Sequence, residues 1–251
     1  NGKPTQITVS LGISQRFSVE DMEQLYAGIK LACERYGVDL VGGDTCASMT
    51  GLTISITCLG EAYDSDIVYR NGAQVNDLIC VTGNLGTAYM GLQLLERERI
   101  VMNTDENATP AFEGREYLLE RQLKPEARKD IIEQLHKAGI KPTAMMDISD
   151  GIGSDLRHIM KASGVGAVID LERLPLSTEL VSVCKEQGWD IYEMASSGGE
   201  DFELMFTAPA GLENELDIAV YPIGKIVPGN ELSWRLSNEP MDRDFDGYKH
   251  F

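Results

Sequence analysis

The sequence predicts an α+β fold in two domains, and three observations lead to this prediction. Segments with the period of a strand and segments with the period of a helix are mixed without strict alternation. Apolar periodicity lapses between residues 63 and 77, which indicates a domain junction. Hydrophobic residues make up 43% of the 251 residues, enough for a full core. We therefore expect an N-terminal domain over 1–68 and a C-terminal α+β domain over 69–251.

Periodicity and turn residues give the elements of the first domain. Residues 5–11 alternate between apolar and polar side chains, which is typical of a strand with one buried face. Ser18 and Asp21 have the spacing of a capping box and predict the start of a helix. In chain order we predict a strand at 5–11, a helix at 18–36, a short strand at 38–41, a tight turn at 42–45 and a strand at 52–59.

The second domain is predicted by the same signals. A glycine turn at 83–86 joins the first strand to the first helix, and the polar segment 99–114 is predicted to be irregular. The remaining predicted elements are strands at 78–82, 167–171, 202–207 and 220–226 and helices at 87–98, 127–138, 153–162 and 177–186.

The charge of the chain narrows the classes of ligand. With 22 basic and 40 acidic side chains, the formal net charge is −18, which disfavours binding to nucleic acid or to an anionic membrane. A phosphorylated ligand would need divalent cations to neutralise the carboxylates around it. There is no apolar run of about 20 residues and no secretory leader, and the five cysteines form no C-x-x-C pair. We expect a cytoplasmic protein.

Three segments carry the candidate chemistry. In residues 146–151 (Met-Asp-Ile-Ser-Asp-Gly), Asp147 and Asp150 are three positions apart, so on a helical turn both could share one Mg²⁺ or Ca²⁺ or hold adjacent ions. The alternative is that Asp147 or Ser149 caps the next helix. Residues 42–45 (Gly-Gly-Asp-Thr) could approach a phosphate and its metal, or form a simple turn with Asp44 as its capping residue. Residues 196–204 place acids directly before a buried strand, where they must be paired or bound to metal.

These segments favour phosphoryl transfer over covalent catalysis. The chain has three histidines, none in a catalytic pattern, and it has no G-x-S-x-G elbow or reactive-cysteine signature. Carboxylates, glycines and metal ions suit a reaction in which the protein positions two substrates and neutralises charge, so no catalytic nucleophile is expected.

Five segments together resemble thiamine-monophosphate kinase. They occur in order along nearly the whole chain, which makes the set specific although each segment alone is weak. They are residues 42–45, 146–151, 163–167, 197–204 and 247–251. The resemblance implies a two-domain α+β fold similar to aminoimidazole ribonucleotide synthetase, a homodimer that pairs through the first domain, and direct transfer of the γ-phosphate of ATP to thiamine monophosphate.

The resemblance also assigns roles to single residues. It implies Mg²⁺ ligation by Asp44, Asp147 and Asp150. ATP, the co-substrate, would be bound by Gly43, Asp44, Arg70 and Ser149, with Tyr26 near the adenine. Glu200 and Tyr248 would bind thiamine monophosphate, because a carboxylate suits an amine-bearing cation and an aromatic face attracts the thiazolium.

By the same resemblance we expect the N-terminal domain to be incomplete. Residues 1–4 resemble the segment after the family's first long helix, so the region with further metal-binding aspartates and a substrate-binding histidine would be absent and the 251-residue chain catalytically incomplete. The family more often has histidine and arginine within 121–125, which leaves the role of 121–128 open. Two alternatives also stay open: another ATP-dependent enzyme of the superfamily, and a non-catalytic nucleotide-binding module.

Overall fold

A computed structural model describes residues 2–105, 108–211 and 220–247. The chain divides into two compact units, Asn1–Ile67 and Val68–Phe251. The architecture is α+β, as predicted. The elements of the first unit are β1 (Lys3–Ile13), α1 (Val19–Tyr36), β2 (Asp39–Ala47) and β3 (Leu52–Glu61).

The first unit is a three-stranded sheet with one helix packed on it. The strand order is β2-β1-β3, with β1 parallel to β2 and antiparallel to β3. Apolar side chains of β1 and α1 form its core, among them Val9, Leu11 and Ile29. The predicted capping box is confirmed, since the Ser18 hydroxyl accepts from the Asp21 amide at 3.1 Å and the Asp21 carboxylate accepts from the Ser18 amide at 2.8 Å.

The tight turn predicted at 42–45 is wrong, because these residues lie inside β2. The pairing with β1 shifts by one residue, so that Ile7 lies opposite Leu40 but Thr8 lies opposite Gly42. A bulge of this kind keeps a glycine-containing segment in the sheet. A Cβ on Gly43 would lie 1.9 Å from the carbonyl oxygen of Val9, so glycine is required there by close backbone approach and not by a turn.

Alanine at position 43 is therefore expected to destabilise the first unit by at least about 2 kcal/mol, the range of overpacking substitutions. The neighbouring Gly42→Ala is the matched control, because a Cβ there has no atom within 4 Å. We expect that control to be neutral or to stabilise by up to about 1 kcal/mol, since alanine lowers the entropy of the unfolded chain. Calorimetric unfolding of both variants tests this, and equal losses would contradict it.

The second unit contains the larger sheet and the remaining helices. Its strands are β4 (Leu78–Thr82), β5 (Ala144–Ile148), β6 (Gly166–Asp170), β7 (Glu203–Ala208), β8 (Val220–Val227), β9 (Leu232–Leu236) and β10 (Glu239–Pro240). Its helices are α2 (Thr87–Thr104), α3 (Glu116–Leu123), α4 (Lys129–Lys137), α5 (Ile152–Ser163), α6 (Thr178–Gln187) and α7 (Ile191–Ser197).

This sheet is covered on both faces. In the described residues the strand order is β10-β9-β6-β8-β4-β7-β5, antiparallel except between β6 and β9. Ile79 and Val81 of β4 point into a core shared with α5, whereas Leu78 and Cys80 point into a second core shared with α4. β5 is an edge strand, so the residues that follow it are not enclosed by a further strand.

Several elements differ from the sequence prediction. Residues 99–104 were predicted to be irregular, but they extend α2, where Arg99 pairs with Glu96 one turn earlier at 2.5 Å. The elements that the periodicity did not predict are α3, α7, β5, β9 and β10. These segments are short, and α3 has only Leu118 fully buried, so their apolar pattern is too brief to identify.

Candidate active site

Asp147 and Asp150 lie where β5 ends and the chain turns toward α5. Asp147 is within the strand, opposite Leu204 of β7, and its side chain is exposed. Asp150 is half-buried in the bend that follows. The expectation that both carboxylates share a helical turn is wrong, because a strand residue and a turn residue carry them. They nevertheless belong to one short segment at the edge of the sheet.

The capping alternative for this segment is also wrong. Gly151 is the N-cap of α5 and no side chain bonds to the cap. Instead Asp155, in the first turn of the helix, accepts hydrogen bonds from the amides of Ser149 and Asp150 at 2.9 and 3.0 Å. Gly151 has φ 98° and ψ 154°, a conformation available essentially only to glycine. The side chains of Asp147 and Ser149 are therefore not used to begin the helix.

The electrostatic environment of the turn is strongly negative. Burial raises the pKa of Asp155 to about 6, the two backbone amides oppose this shift, and the charges of Asp150 and Asp147 add to it. Neighbouring like charges destabilise each other unless a cation lies between them. The segment that carries Asp147 and Asp150 thus has the charge that a divalent cation would neutralise.

A second segment, residues 196–203, packs directly against this turn. The amide of Glu200 donates to the carbonyl oxygen of Ser149 at 2.8 Å, and the amide of Phe202 donates to that of Ile148 at 2.9 Å. A Cβ on Gly151 would lie 2.9 Å or less from the carbonyl oxygens of Ser196 and Gly198. Ser149 and Glu200, which the sequence placed in the ATP and thiamine sites, are therefore brought together.

Asp201 and Glu203, two buried acids where β7 begins, are satisfied by contacts within the protein. The Glu203 carboxylate, 2% exposed as a residue, contacts Arg121 at 3.0 Å and Arg128 at 2.5 Å and accepts from the Thr82 hydroxyl at 2.7 Å. The Asp201 carboxylate accepts from the amides of Gly86 and Ala88 where α2 begins. The segment 121–128, whose role the sequence left open, supplies two of these partners.

The free energy of unfolding is expected to fall as pH rises between about 4 and 7 because of Asp201. Burial raises its pKa to about 7, with the Gly86 amide and the charge of Arg121 opposing the shift. An unfolded aspartate ionises near pH 3.9, so the unfolded chain loses this proton first and gains stability relative to the folded chain. The stabilisation is thus complete below pH 4 and lost above pH 7.

Asp201→Asn should remove this part of the pH dependence. The free energy of unfolding of the parent relative to the variant should be larger at pH 5 than at pH 8, by about 1–3 kcal/mol. Urea unfolding followed by tryptophan fluorescence measures it, since Trp189 and Trp234 both lie in the second unit. A difference between the two proteins that is the same at both pH values would refute the assignment.

A cavity of about 410 Å³ lies beside the second segment. It is lined by Tyr89, Glu193, Met194, Ser197, Asp244, Asp246 and Gly247. The C-terminal segment that closes it is anchored by Asp244, which accepts from Arg157 at 2.6 Å and from the Trp234 indole at 3.1 Å. Among the described residues the buried hydroxyl of Ser197 has no hydrogen-bond partner. The cavity therefore offers carboxylates and an aromatic ring to a ligand.

The other predicted site residues lie at three further places. Arg70 is exposed in a segment that runs along the edge of β5, where the Met145 amide donates to Tyr69 at 3.0 Å. Gly43 and Asp44 are in β2 of the first unit, with Asp44 opposite Ser10. Tyr26 is in α1 and 38% exposed. Tyr248 lies outside the described residues.

The two carboxylates at the end of β5 suit a magnesium ion whose remaining coordination positions are filled by a bound phosphate or by water. Within the described ranges no group of three or more His, Cys, Asp or Glu side chains is placed to hold a metal. Mg²⁺, however, usually takes only one or two carboxylates from the protein and its other oxygens from phosphate and water. Asp147 and Asp150 meet this smaller requirement, and no lysine or arginine of the described chain pairs with Asp147.

Sequence reasoning missed three charged residues that form contacts near these segments, namely Asp155, Arg121 and Arg128. Asp155 had a usable signal, because it falls on the buried face of α5 with Ile152, Leu156 and Ile159, where an unpaired acid would be costly. Arg121 and Arg128 had none. Their partner Glu203 is 75 or more positions away along the chain, and one sequence does not reveal which arginine approaches which acid.

Comparisons with known families agree with this architecture. Residues 1–62 match the model "AIR synthase related protein, N-terminal domain", and residues 74–236 match "AIR synthase related protein, C-terminal domain". No helix among the described residues has the length and apolar character required to span a membrane.

The individual curated relatives that the chain matches share the name thiamine-monophosphate kinase. The thiamine-monophosphate kinase of Aquifex aeolicus is 36% identical over 228 residues, which is 91% of this chain and 69% of that protein. The solved structure "AaThiL complexed with AMPPCP and TMP" superposes with a TM-score of 0.82 at 34% identity, over 100% of this chain and 74% of that one. The structure of thiamine-monophosphate kinase from Stenotrophomonas maltophilia K279a superposes with a TM-score of 0.80 at 28% identity, over 96% of this chain and 74% of that one. The chain belongs to the thiamine-monophosphate kinase family.

Proposed function

We propose that this protein phosphorylates thiamine monophosphate with ATP, and that Asp147 and Asp150 bind the magnesium ion that joins the two substrates. The observation that carries the proposal is the contact between the two segments at the end of β5. Ser149 and Glu200 are joined by a backbone hydrogen bond of 2.8 Å, so a group held by one segment lies beside a group held by the other. The family relationship supports the reaction.

The chemistry proposed for this site needs no protein nucleophile. When bound, magnesium would neutralise phosphate charge and orient the phosphates for direct in-line transfer. Asp147 and Asp150 would hold the ion, Ser149 and Arg70 would bind and orient ATP phosphates, and Glu200 would bind the thiamine. Asp155 keeps the turn in place through the amides of Ser149 and Asp150. The γ-phosphate then passes to the phosphate of thiamine monophosphate without an enzyme-bound intermediate.

The thiamine part of the substrate is proposed to occupy the cavity beside Ser197. Glu193 and Asp244 on its wall are shared with arginines, but with Asp246 they keep the lining acidic, which suits a cationic heterocycle. The Tyr89 ring provides a flat surface for the heterocycle. Gly247 on the wall immediately precedes Tyr248, the residue that the family resemblance places on thiamine.

The first unit is proposed to bind ATP and to pair with a second copy of itself. Gly43 and Asp44 would contribute ATP and metal contacts, and Tyr26 would lie near the adenine. Apolar side chains of β2 and β3 are 44–53% exposed, namely Leu40, Val41, Ile54, Ile56 and Leu59, and a homodimer would cover them. We propose a cytoplasmic location, consistent with five cysteines that are all free thiols.

The full-length protein should release ADP from ATP only when thiamine monophosphate and Mg²⁺ are both present. The measurement is a coupled ADP assay, with thiamine diphosphate identified by chromatography. Amide and selenide substrates serve as controls, because the alternative function, that of another ATP-dependent enzyme of the superfamily, would activate one of them with ATP. A rate of ADP release that does not depend on thiamine monophosphate would overturn the proposed reaction.

A further inference from the structure

A buried charge cluster lies behind the second segment, and nothing in the proposed reaction uses it. It consists of Glu203, Arg121, Arg128 and Thr82. Arg121 and Arg128 are 14% and 19% exposed as side chains, and both contact the Glu203 carboxylate. Removing charges from water is costly, and such a cluster is weak evidence for stability alone. One member of the cluster, Arg121, also contacts the backbone of Asp201, the residue that follows Glu200.

The two arginines share Glu203 as a partner but differ in their second contact. Arg121 Nη2, besides its ion pair with Glu203, donates to the carbonyl oxygen of Asp201 at 2.9 Å. Arg128 contacts the side chains of Glu203 and Asp130. Arg121 therefore holds the main chain next to Glu200, whereas Arg128 bonds to side chains.

The main chain that Arg121 holds is strained. Glu200 has φ 68° and Phe202 has φ 50°, and both are non-glycine residues in the left-handed region. Such conformations persist only where surrounding contacts determine them. The contacts on one side are the hydrogen bonds from the Glu200 and Phe202 amides to Ser149 and Ile148. On the other side, the described contact to the main chain is the guanidinium of Arg121 at Asp201.

We propose that Arg121 is a positioning residue for thiamine monophosphate, acting through the Asp201 carbonyl to hold Glu200 in its binding conformation. The assignment rests on the proposed function of Glu200. Loss of this contact releases the strained segment and weakens binding of thiamine monophosphate. Gly43, Asp44 and Arg70 lie outside this segment, and Ser149 is joined to it through its backbone carbonyl, so the KM for ATP is expected to change less.

The test compares Arg121→Met with Arg128→Met in the full-length protein. Each variant removes one of two ion pairs to Glu203, but only the first removes the bond to Asp201. We expect Arg121→Met to raise the KM for thiamine monophosphate at least about tenfold, with the KM for ATP within about twofold. Arg128→Met should leave both KM values within about twofold. Arg121→Lys, a conservative variant that keeps the charge, should recover part of the loss and also serves if Arg121→Met does not fold.

Hydrogen exchange provides a readout that does not depend on activity. The amides of Glu200 and Phe202 should exchange at least about tenfold faster in Arg121→Met, or in Arg121→Lys to a smaller extent, than in Arg128→Met. Equal exchange in the arginine variants would overturn the positioning role. So would equal increases in both KM values. If the parent protein does not act on thiamine monophosphate, the proposed function fails, while the exchange rates still decide whether Arg121 holds the segment.

Discussion

Asp147→Asn is expected to lower kcat of the full-length protein for thiamine monophosphate at least about a hundredfold, which corresponds to about 2.7 kcal/mol of transition-state stabilisation. Asparagine keeps the size of the side chain but loses the charge that would hold magnesium against the phosphates of ATP and thiamine monophosphate. The fold should survive, because Asp147 is exposed on an edge strand. Steady-state kinetics at saturating Mg²⁺ measure the effect, with circular dichroism as the test of folding.

Asp150→Asn is expected to behave in the same way. The substitution retains the backbone amide that donates to Asp155, so the turn before α5 should keep its shape. Asp242→Asn is the matched control, an exposed acid outside the segments of the site, and it should retain at least about half of the activity. If Asp147→Asn and Asp150→Asn both retained ordinary turnover, the metal assignment would be wrong.

Glu203→Ala should produce the largest loss of stability in the second unit, about 3–5 kcal/mol. Arg121 and Arg128 would then lie mostly buried without the carboxylate that both contact, and the uncompensated charge accounts for the cost. The Thr82 hydroxyl would also lose its acceptor, since it donates to Glu203 at 2.7 Å. Urea unfolding followed by the fluorescence of Trp189 and Trp234 measures the change.

The control for Glu203 is an exposed ion pair in the same unit. Glu96 pairs with Arg99 at 2.5 Å, but the two side chains are 45% and 67% exposed. Glu96→Ala should therefore cost no more than about 1 kcal/mol, the usual value for a surface pair. Similar small losses in both variants would contradict the view that burial makes the Glu203 cluster important.

Local sequence signals predicted much of the fold because they act over a few residues. The capping box at Ser18 and Asp21 correctly located the start of α1, and alternation of apolar side chains located β1 and β3. The glycines at 42 and 43 were misread as a turn because glycine has two uses. It permits unusual backbone angles, and it also permits close approach of another chain, here Val9. A single sequence does not distinguish the two.

The site was predictable in its composition more than in its geometry. Sequence reasoning selected Asp147, Asp150 and Glu200, and the structure brings their segments together through the hydrogen bond of Glu200 to Ser149. Asp147 and Asp150 were expected on one helical turn. Asp147 instead lies in β5, and this strand of 5 residues is too short to show a strand period in the sequence. The buried acid Glu203 is tolerated at the start of β7 because it contacts Arg121 and Arg128, and this depends on pairing between distant segments.

Metal binding tests the central claim most directly. Manganese can replace magnesium as a paramagnetic probe, and electron paramagnetic resonance counts the ions bound to the full-length protein with a non-hydrolysable ATP analogue. We predict that the Asp147→Asn and Asp150→Asn double variant binds at least one ion about tenfold more weakly than the parent or loses it. Identical manganese binding by parent and double variant would contradict the claim that these two carboxylates hold the catalytic metal.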